Sequence, residues 1–63
     1  MINNLKKIRT KKEITQQELA TYADISLSQL RNIENNRSIP TIVIALKIKK
    51  ALNVKNIEEL FDL

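Results

Sequence analysis

The side chains best suited to chemistry lie in residues 16–37, and they are amides, hydroxyls and guanidinium groups. Cysteine, histidine and glycine are absent from the sequence. Nucleophilic catalysis, ordinary zinc binding and glycine-rich phosphate loops therefore lack the residues they need. The Ser, Thr and Lys residues have no evident base partner either. We expect no enzymatic activity and no cofactor, and side chains that form hydrogen bonds with a polar or anionic partner.

The charge balance favours a polyanionic partner. Eleven Lys and Arg residues stand against seven Asp and Glu, a net charge of +4, and the pI is about 9.7. A generic basic surface would give the same totals. The longest apolar run, residues 42–46, is five residues long, whereas a membrane span needs about twenty. We expect a cytoplasmic protein with no membrane partner and no small-molecule ligand.

Helical periodicity extends along nearly the whole chain. Leu, Lys, Gln and Glu are frequent, and Pro40 is the single proline. The pattern predicts one all-α domain over residues 1–63, a compact bundle of five helices joined by short loops. The first helix is expected to begin at Asn3 or Asn4 and to run to about Lys12.

Capping signals mark the starts of the other helices. Capping boxes, in which Ser, Thr or Asn is followed three residues later by Glu or Gln, begin at Thr15, Ser26 and Asn56. Thr41 is the expected N-cap of the fourth helix and Asn53 its C-terminal stop. The last box predicts a fifth, short helix that continues through Leu60 and Phe61.

The second and third helices are short and close in sequence, so they must cross steeply, as in a helix-turn-helix. Ala20 provides the small residue needed at the crossing. Asp24 stands in the turn, where a positive φ is required and glycine is preferred; aspartate tolerates that conformation. Ile25 follows as a buried aliphatic, and Leu30 and Ile33 are expected to face the core.

With this arrangement the sequence resembles the Cro and phage-repressor family, also called the XRE family, of helix-turn-helix regulators. The resembling residues are 16–20, 25–26, 30, 33–35, 40, 45–48, 51–54 and 59–61. The resemblance covers about residues 5–61. It implies a lambda-repressor-like fold and a transcriptional regulator, most often a repressor, that binds specific double-stranded DNA. It also implies that Arg9 pairs with Glu34; the alternative is two unrelated surface charges.

The resemblance further implies that the third helix, residues 27–35, is the recognition helix, with its N-terminal end in the major groove. Leu27, Ser28, Arg31 and Asn32 are expected to point outward. Arginine can read guanine and asparagine adenine through paired hydrogen bonds, while leucine can pack on a thymine methyl group. Serine can bond a base or a phosphate. The alternative is a solvated helix face, or, for Leu27, packing onto the preceding helix.

Other polar residues are expected to hold the DNA backbone. They are Gln16, Gln17, Asn35, Asn36 and Arg37. Gln16 begins the second helix, where free N–H groups and the helix dipole attract phosphate. The last three follow the recognition helix, where the resemblance implies backbone contacts. Gln29 either serves its capping box alone or also contacts DNA.

Aliphatic residues late in the chain raise the question of a second subunit. Val43 and Ile44 stand where the family is typically polar, so they either fill a gap in the core or form a contact surface. The second interpretation predicts a homodimer on a palindromic operator, through helices four and five together with Ile39, Ile57, Phe61 and Leu63.

Two other functions remain open from the sequence. An adaptor or antitoxin-like module could keep this fold and bind protein instead of DNA, because fold does not dictate function. The polar, basic face carrying Arg31, Asn32 and Arg37 favours DNA over that alternative. A membrane-active basic helix over residues 42–52 is disfavoured, since its aliphatics are needed in the core and no tryptophan anchors it.

Overall fold

The computed structural model describes residues 2–62. These residues form four α-helices, one 3-10 turn and two very short strands. In chain order they are β1 (Ile2–Asn3), α1 (Leu5–Lys11), α2 (Gln16–Ala23), α3 (Leu27–Glu34), α4 (Ile42–Leu52), the 3-10 turn (Ile57–Glu59) and β2 (Phe61–Asp62). None of the helices in the described part of the chain has the length and apolar character that crossing a bilayer requires.

The predicted fifth helix is wrong. Only a 3-10 turn forms, because the chain straightens after it and Phe61 pairs with Asn3 in an antiparallel ladder. The N–H of Asn4 also donates to the carbonyl of Leu60 at 2.8 Å. The capping glutamate is nevertheless used, since the Glu59 carboxylate accepts from the N–H of Asn56 at 3.0 Å. Pairing between the two ends of the chain therefore replaces the expected helical turns.

The core is formed where α2 and α4 pack together, with α3 and both chain ends around them. The inward positions predicted for α2 and α3 are confirmed, and Leu60 and Phe61 close the core from the C-terminal end. The buried hydrophobic residues are Leu5, Leu19, Ala20, Ala23, Leu30, Ile33, Ala45, Ile48, Leu52, Leu60 and Phe61. Burying this apolar surface is the main force that holds α3 in place.

Two capping boxes set where α2 and α3 begin, as predicted. The Thr15 hydroxyl accepts from the N–H of Glu18 at 3.1 Å, and the Glu18 carboxylate accepts from the N–H of Thr15 at 2.9 Å. Hydrogen bonds from the backbone and then the hydroxyl of Thr15 hold the pKa of Glu18 below its ordinary value. Ser26 and Gln29 form the same reciprocal pair, with both distances 3.0 Å.

The ends of α1 and α4 agree closely with the sequence. Asn4 is at the N-cap position of α1, but Asn3 supplies the cap, since its side-chain oxygen accepts from the N–H of Leu5 at 2.8 Å. The Asn3 amide group also donates to the carbonyl of Ile33, which ties the start of the chain to α3. Thr41 caps α4 and Asn53 ends it.

Within residues 2–62, four non-glycine residues have a positive φ, and each ends or follows a helix. Asp24 (55°), Asn36 (58°) and Asn53 (55°) are at positions where the sequence predicted a turn or a helix stop. Glu13, with φ of 59°, was not anticipated. Glutamate has no short side chain to compensate the left-handed conformation, so this position stores local strain.

We expect Glu13→Gly to raise the free energy of unfolding by about 0.5–1 kcal/mol, because glycine removes the steric cost of the left-handed conformation. Chemical denaturation of both proteins measures the difference. Lys12→Gly is the matched control. Lys12 has φ of −88°, so glycine there only raises the conformational entropy of the unfolded chain and lowers the free energy of unfolding. A Glu13→Gly variant no more stable than Lys12→Gly would contradict the prediction.

Candidate nucleic-acid interface

The turn between α2 and α3 has the tight geometry of a helix-turn-helix. α2 ends at Ala23 and α3 begins at Leu27. Asp24 adopts the left-handed conformation, and the N–H groups of Asp24 and Ile25 donate to the carbonyls of Thr21 and Ala20 at 3.2 and 3.0 Å. The short turn forces the two helices to cross, so α3 can lie across the surface beside the start of α2.

The predicted pair of Arg9 and Glu34 is confirmed. Arg9 Nε donates to Glu34 Oε2 at 2.8 Å, and Nη2 donates to Oε1 at 3.3 Å. The remaining guanidinium nitrogen, Nη1, donates to the carbonyl of Ile14 at 2.8 Å. The two side chains are only 11% and 2% exposed. This buried pair joins α1, the loop before α2 and the last residue of α3.

Gln16 extends this pair toward the middle of α3. Its Nε2 donates to Glu34 Oε1 at 3.0 Å, and its Oε1 accepts a long hydrogen bond of 3.5 Å from Arg31 Nε. Gln16, expected to contact phosphate, thus also links the end of α3 to its middle. Arg31 is exposed, as predicted, and Gln16 is half-buried.

A concave surface of about 470 Å³ lies where the N-terminal parts of α2 and α3 meet α1; we call it the α2–α3 groove. It is lined by Lys6, Arg9, Thr15, Gln16, Gln17, Leu27 and Arg31. Three of these residues are cationic and none is acidic. The groove brings together four residues predicted from the sequence as site residues: Gln16, Gln17, Leu27 and Arg31.

Sequence reasoning missed Lys6. Nothing distinguishes its side chain from other lysines of α1 by type, and Lys7, Lys11 and Lys12 are likewise exposed. The available signal was its position three residues before Arg9, which places both side chains on the same helical face. The Arg9–Glu34 pair joins α1 to α3, and Lys6 is the lysine of α1 that lines the groove.

The other predicted site residues lie along or after α3, outside the lining of the groove. Ser28 and Gln29 are exposed in its first turn, and Asn32 is half-buried. Asn35, Asn36 and Arg37 are exposed beyond its C-terminal end. The N–H of Arg37 donates to the carbonyl of Asn32 at 2.8 Å, so the chain turns back over the last part of the helix.

A helix-turn-helix family model matches residues 5–60. The chain belongs to the XRE-like helix-turn-helix family. This is a regulatory, DNA-binding family and is not typically enzymatic, so the domain is a DNA-binding helix-turn-helix regulator. No curated protein matches the chain. The family match agrees with the crossing helices, the buried Arg9–Glu34 pair and the basic groove.

The aliphatic residues expected at a subunit interface divide into two groups. Phe61 is 2% exposed and Ile57 packs against the core, so neither is free to form such a surface; Leu63 lies outside the described residues. Ile44 also packs against the core, which agrees with its filling a gap. The large exposed aliphatics are Ile39, Ile42, Val43 and Leu46.

Proposed function

We propose that this domain is a sequence-specific repressor that binds double-stranded DNA with α3 in the major groove. The observation that carries the proposal is the α2–α3 groove, where the exposed cations Lys6 and Arg31 converge with amide side chains and the lining holds no acidic residue. A concave basic surface beside an exposed helix start matches the shape and charge of a phosphate backbone next to open base edges.

The residues along α3 divide into two roles. Ser28 and Arg31 are exposed near the start and middle of the helix, with the half-buried Leu27 and Asn32 beside them, and these side chains suit base edges. The N–H groups of Gln16 and Gln17, at the start of α2, point out of the helix end and suit a phosphate. Arg37, beyond the other end of α3, adds a second backbone contact. Phosphate contacts orient the protein, and base contacts select the sequence.

We further propose that two copies bind a palindromic operator through the exposed aliphatics that precede and begin α4. Ile39 is 79% exposed, Ile42 is 69% and Val43 is 58%. Large apolar side chains this exposed, within five residues of one another in a small domain, favour contact with another surface. A two-fold contact would set the spacing of the two recognition helices to one turn of DNA.

Selection from a random duplex pool tests the proposal, followed by titration of the selected site against scrambled DNA at physiological salt. A palindromic motif bound at least about a thousandfold more tightly than scrambled DNA supports a dimeric, sequence-specific regulator. Weak, salt-sensitive binding with no motif would contradict it and would favour the protein-binding adaptor instead.

Substitutions within α3 and beyond its C-terminal end are expected to have different effects. Arg31→Ala and Asn32→Ala should each weaken binding to the selected site by about 1–3 kcal/mol and reduce discrimination. Arg37→Ala should weaken binding to all sequences similarly and reduce the slope of log K against log salt by about one. Titrations at several salt concentrations measure both. Equal losses on selected and random DNA for Asn32→Ala would remove that residue from the base-reading set.

A further inference from the structure

A chain of side-chain hydrogen bonds connects the buried Glu34 carboxylate to the exposed Arg31. Glu34 Oε1 accepts from Gln16 Nε2 at 3.0 Å, and Gln16 Oε1 accepts from Arg31 Nε at 3.5 Å. Glu34 is itself held by Arg9 at 2.8 Å, and its side chain is 2% exposed. The Glu34 end of these hydrogen bonds is therefore fixed, and Arg31, at the other end, lines the α2–α3 groove.

The polarity of this chain is set by Glu34. An ionised carboxylate can only accept hydrogen bonds, whereas a glutamine amide has one accepting and one donating end. With its NH₂ group turned toward Glu34, Gln16 must present its oxygen to the other side. That oxygen meets Arg31 Nε, which can only donate. Glu34 thus determines which group Gln16 offers to Arg31.

The contact decides which edge of the Arg31 guanidinium remains free. Arginine can form paired hydrogen bonds through Nε and Nη2 or through its two terminal nitrogens, Nη1 and Nη2. Because Nε is directed to Gln16, the terminal edge is left for a ligand. Two parallel N–H groups on that edge match the O6 and N7 acceptors of guanine in the major groove.

We propose that Glu34 and Gln16 are positioning residues that direct the terminal edge of Arg31 toward a guanine. This inference rests on the proposed function. It also extends the proposed function, because the Arg9–Glu34 pair then contributes to sequence discrimination as well as to stability. Holding the long Arg31 side chain in one orientation before binding also reduces the entropy lost when the complex forms.

Replacing single guanines of the selected site by 7-deazaguanine tests the inference. This base keeps O6 and its pairing but lacks the N7 acceptor. For the wild-type protein, we expect the substitution to weaken binding about tenfold at one guanine of each half-site. The penalty should disappear in Arg31→Met, which identifies that guanine as the base Arg31 reads.

The positioning role predicts a smaller 7-deazaguanine penalty when the hydrogen bonds between Glu34, Gln16 and Arg31 are broken. In Gln16→Met, which keeps the length of the side chain but no hydrogen bonds, the 7-deazaguanine penalty should fall from about tenfold to about threefold or less. Glu34→Gln should reduce it as well, because a neutral amide no longer fixes the orientation of Gln16. Circular dichroism shows whether each variant is folded at the temperature of the titration. If Glu34→Gln is unfolded there, Gln16→Met alone decides the test.

Gln17→Met is the matched control, since within the described part of the chain the Gln17 amide forms its one side-chain hydrogen bond with Thr21, at 3.3 Å. Whatever this variant does to overall affinity, the 7-deazaguanine penalty should stay at the wild-type value. The positioning role alone is overturned if the 7-deazaguanine penalty is unchanged in Gln16→Met. It is also overturned if Arg31→Met abolishes the penalty at none of the guanines in the selected site. A wild-type protein that selects no sequence overturns the proposed function and this inference with it.

Discussion

Arg9→Met is expected to lower the free energy of unfolding by about 3–5 kcal/mol, because it leaves a buried carboxylate without its counter-ion. The Glu34 side chain is 2% exposed and keeps only the Gln16 amide as a partner. Arg9 also donates to the Ile14 carbonyl at 2.8 Å, and that acceptor is lost as well. Domains of this length are stable by about 3–9 kcal/mol in total, so the variant should lose at least about a third of its stability.

Urea denaturation at 25 °C, followed by circular dichroism, measures the effect. Lys7→Met is the matched control: it removes a cation from the same helix, but Lys7 is exposed, and the change should stay within about 0.5 kcal/mol. Arg9→Met combined with Glu34→Leu should recover much of the loss, since no unpaired charge remains. A cost for Arg9→Met comparable with that of Lys7→Met would show that the pair is not a structural element.

Leu30→Ala is expected to destabilise the protein by about 2–5 kcal/mol, the second largest effect. Leu30 is fully buried on the inner side of α3, where it joins the core cluster. Its removal leaves a cavity beneath α3, which the small surrounding core can fill only in part. DNA binding should fall in proportion to the unfolded fraction, because the outward residues of α3 are untouched.

Leu27→Ala supplies the control in the same helix, three residues earlier. Leu27 is half-exposed in the α2–α3 groove, so its truncation should cost less than about 1 kcal/mol of stability. If it packs on a base, affinity for the selected site should nevertheless fall. Comparing urea midpoints with DNA affinities separates the two variants. Equal loss of stability would mean that Leu27 belongs to the core and not to the interface.

Local signals in the sequence were sufficient to predict the helix-turn-helix. The capping boxes at Thr15 and Ser26 depend on residues three apart, and both formed as expected. The left-handed conformation of Asp24 likewise follows from its place between two short helices. Such features are readable because the hydrogen bonds that define them join near neighbours. The Arg9–Glu34 pair, with its partners 25 residues apart, came instead from the family resemblance.

The errors concern contacts between distant residues. Glu59 completes a capping box that predicts a helix, but the residues after it pair with β1, at the opposite end of the sequence. Phe61 was expected at a subunit interface because it is a large apolar residue near the end of the sequence, but it is buried in the core. The positive φ of Glu13 could not be anticipated either, since glutamate carries no preference for that conformation.

The sequence by itself determined the helix starts, the helix-turn-helix and the residue types that can bind DNA, because short-range capping and hydrophobic periodicity specify them. Only the tertiary structure decided that Lys6 shares a groove with Gln16 and Arg31, and that the orientation of Gln16 depends on Glu34. Those relations arise from the docking of α2 against α3 and from the Arg9–Glu34 pair, which joins α1 to α3. No local pattern encodes that docking, since it depends on how the whole core packs.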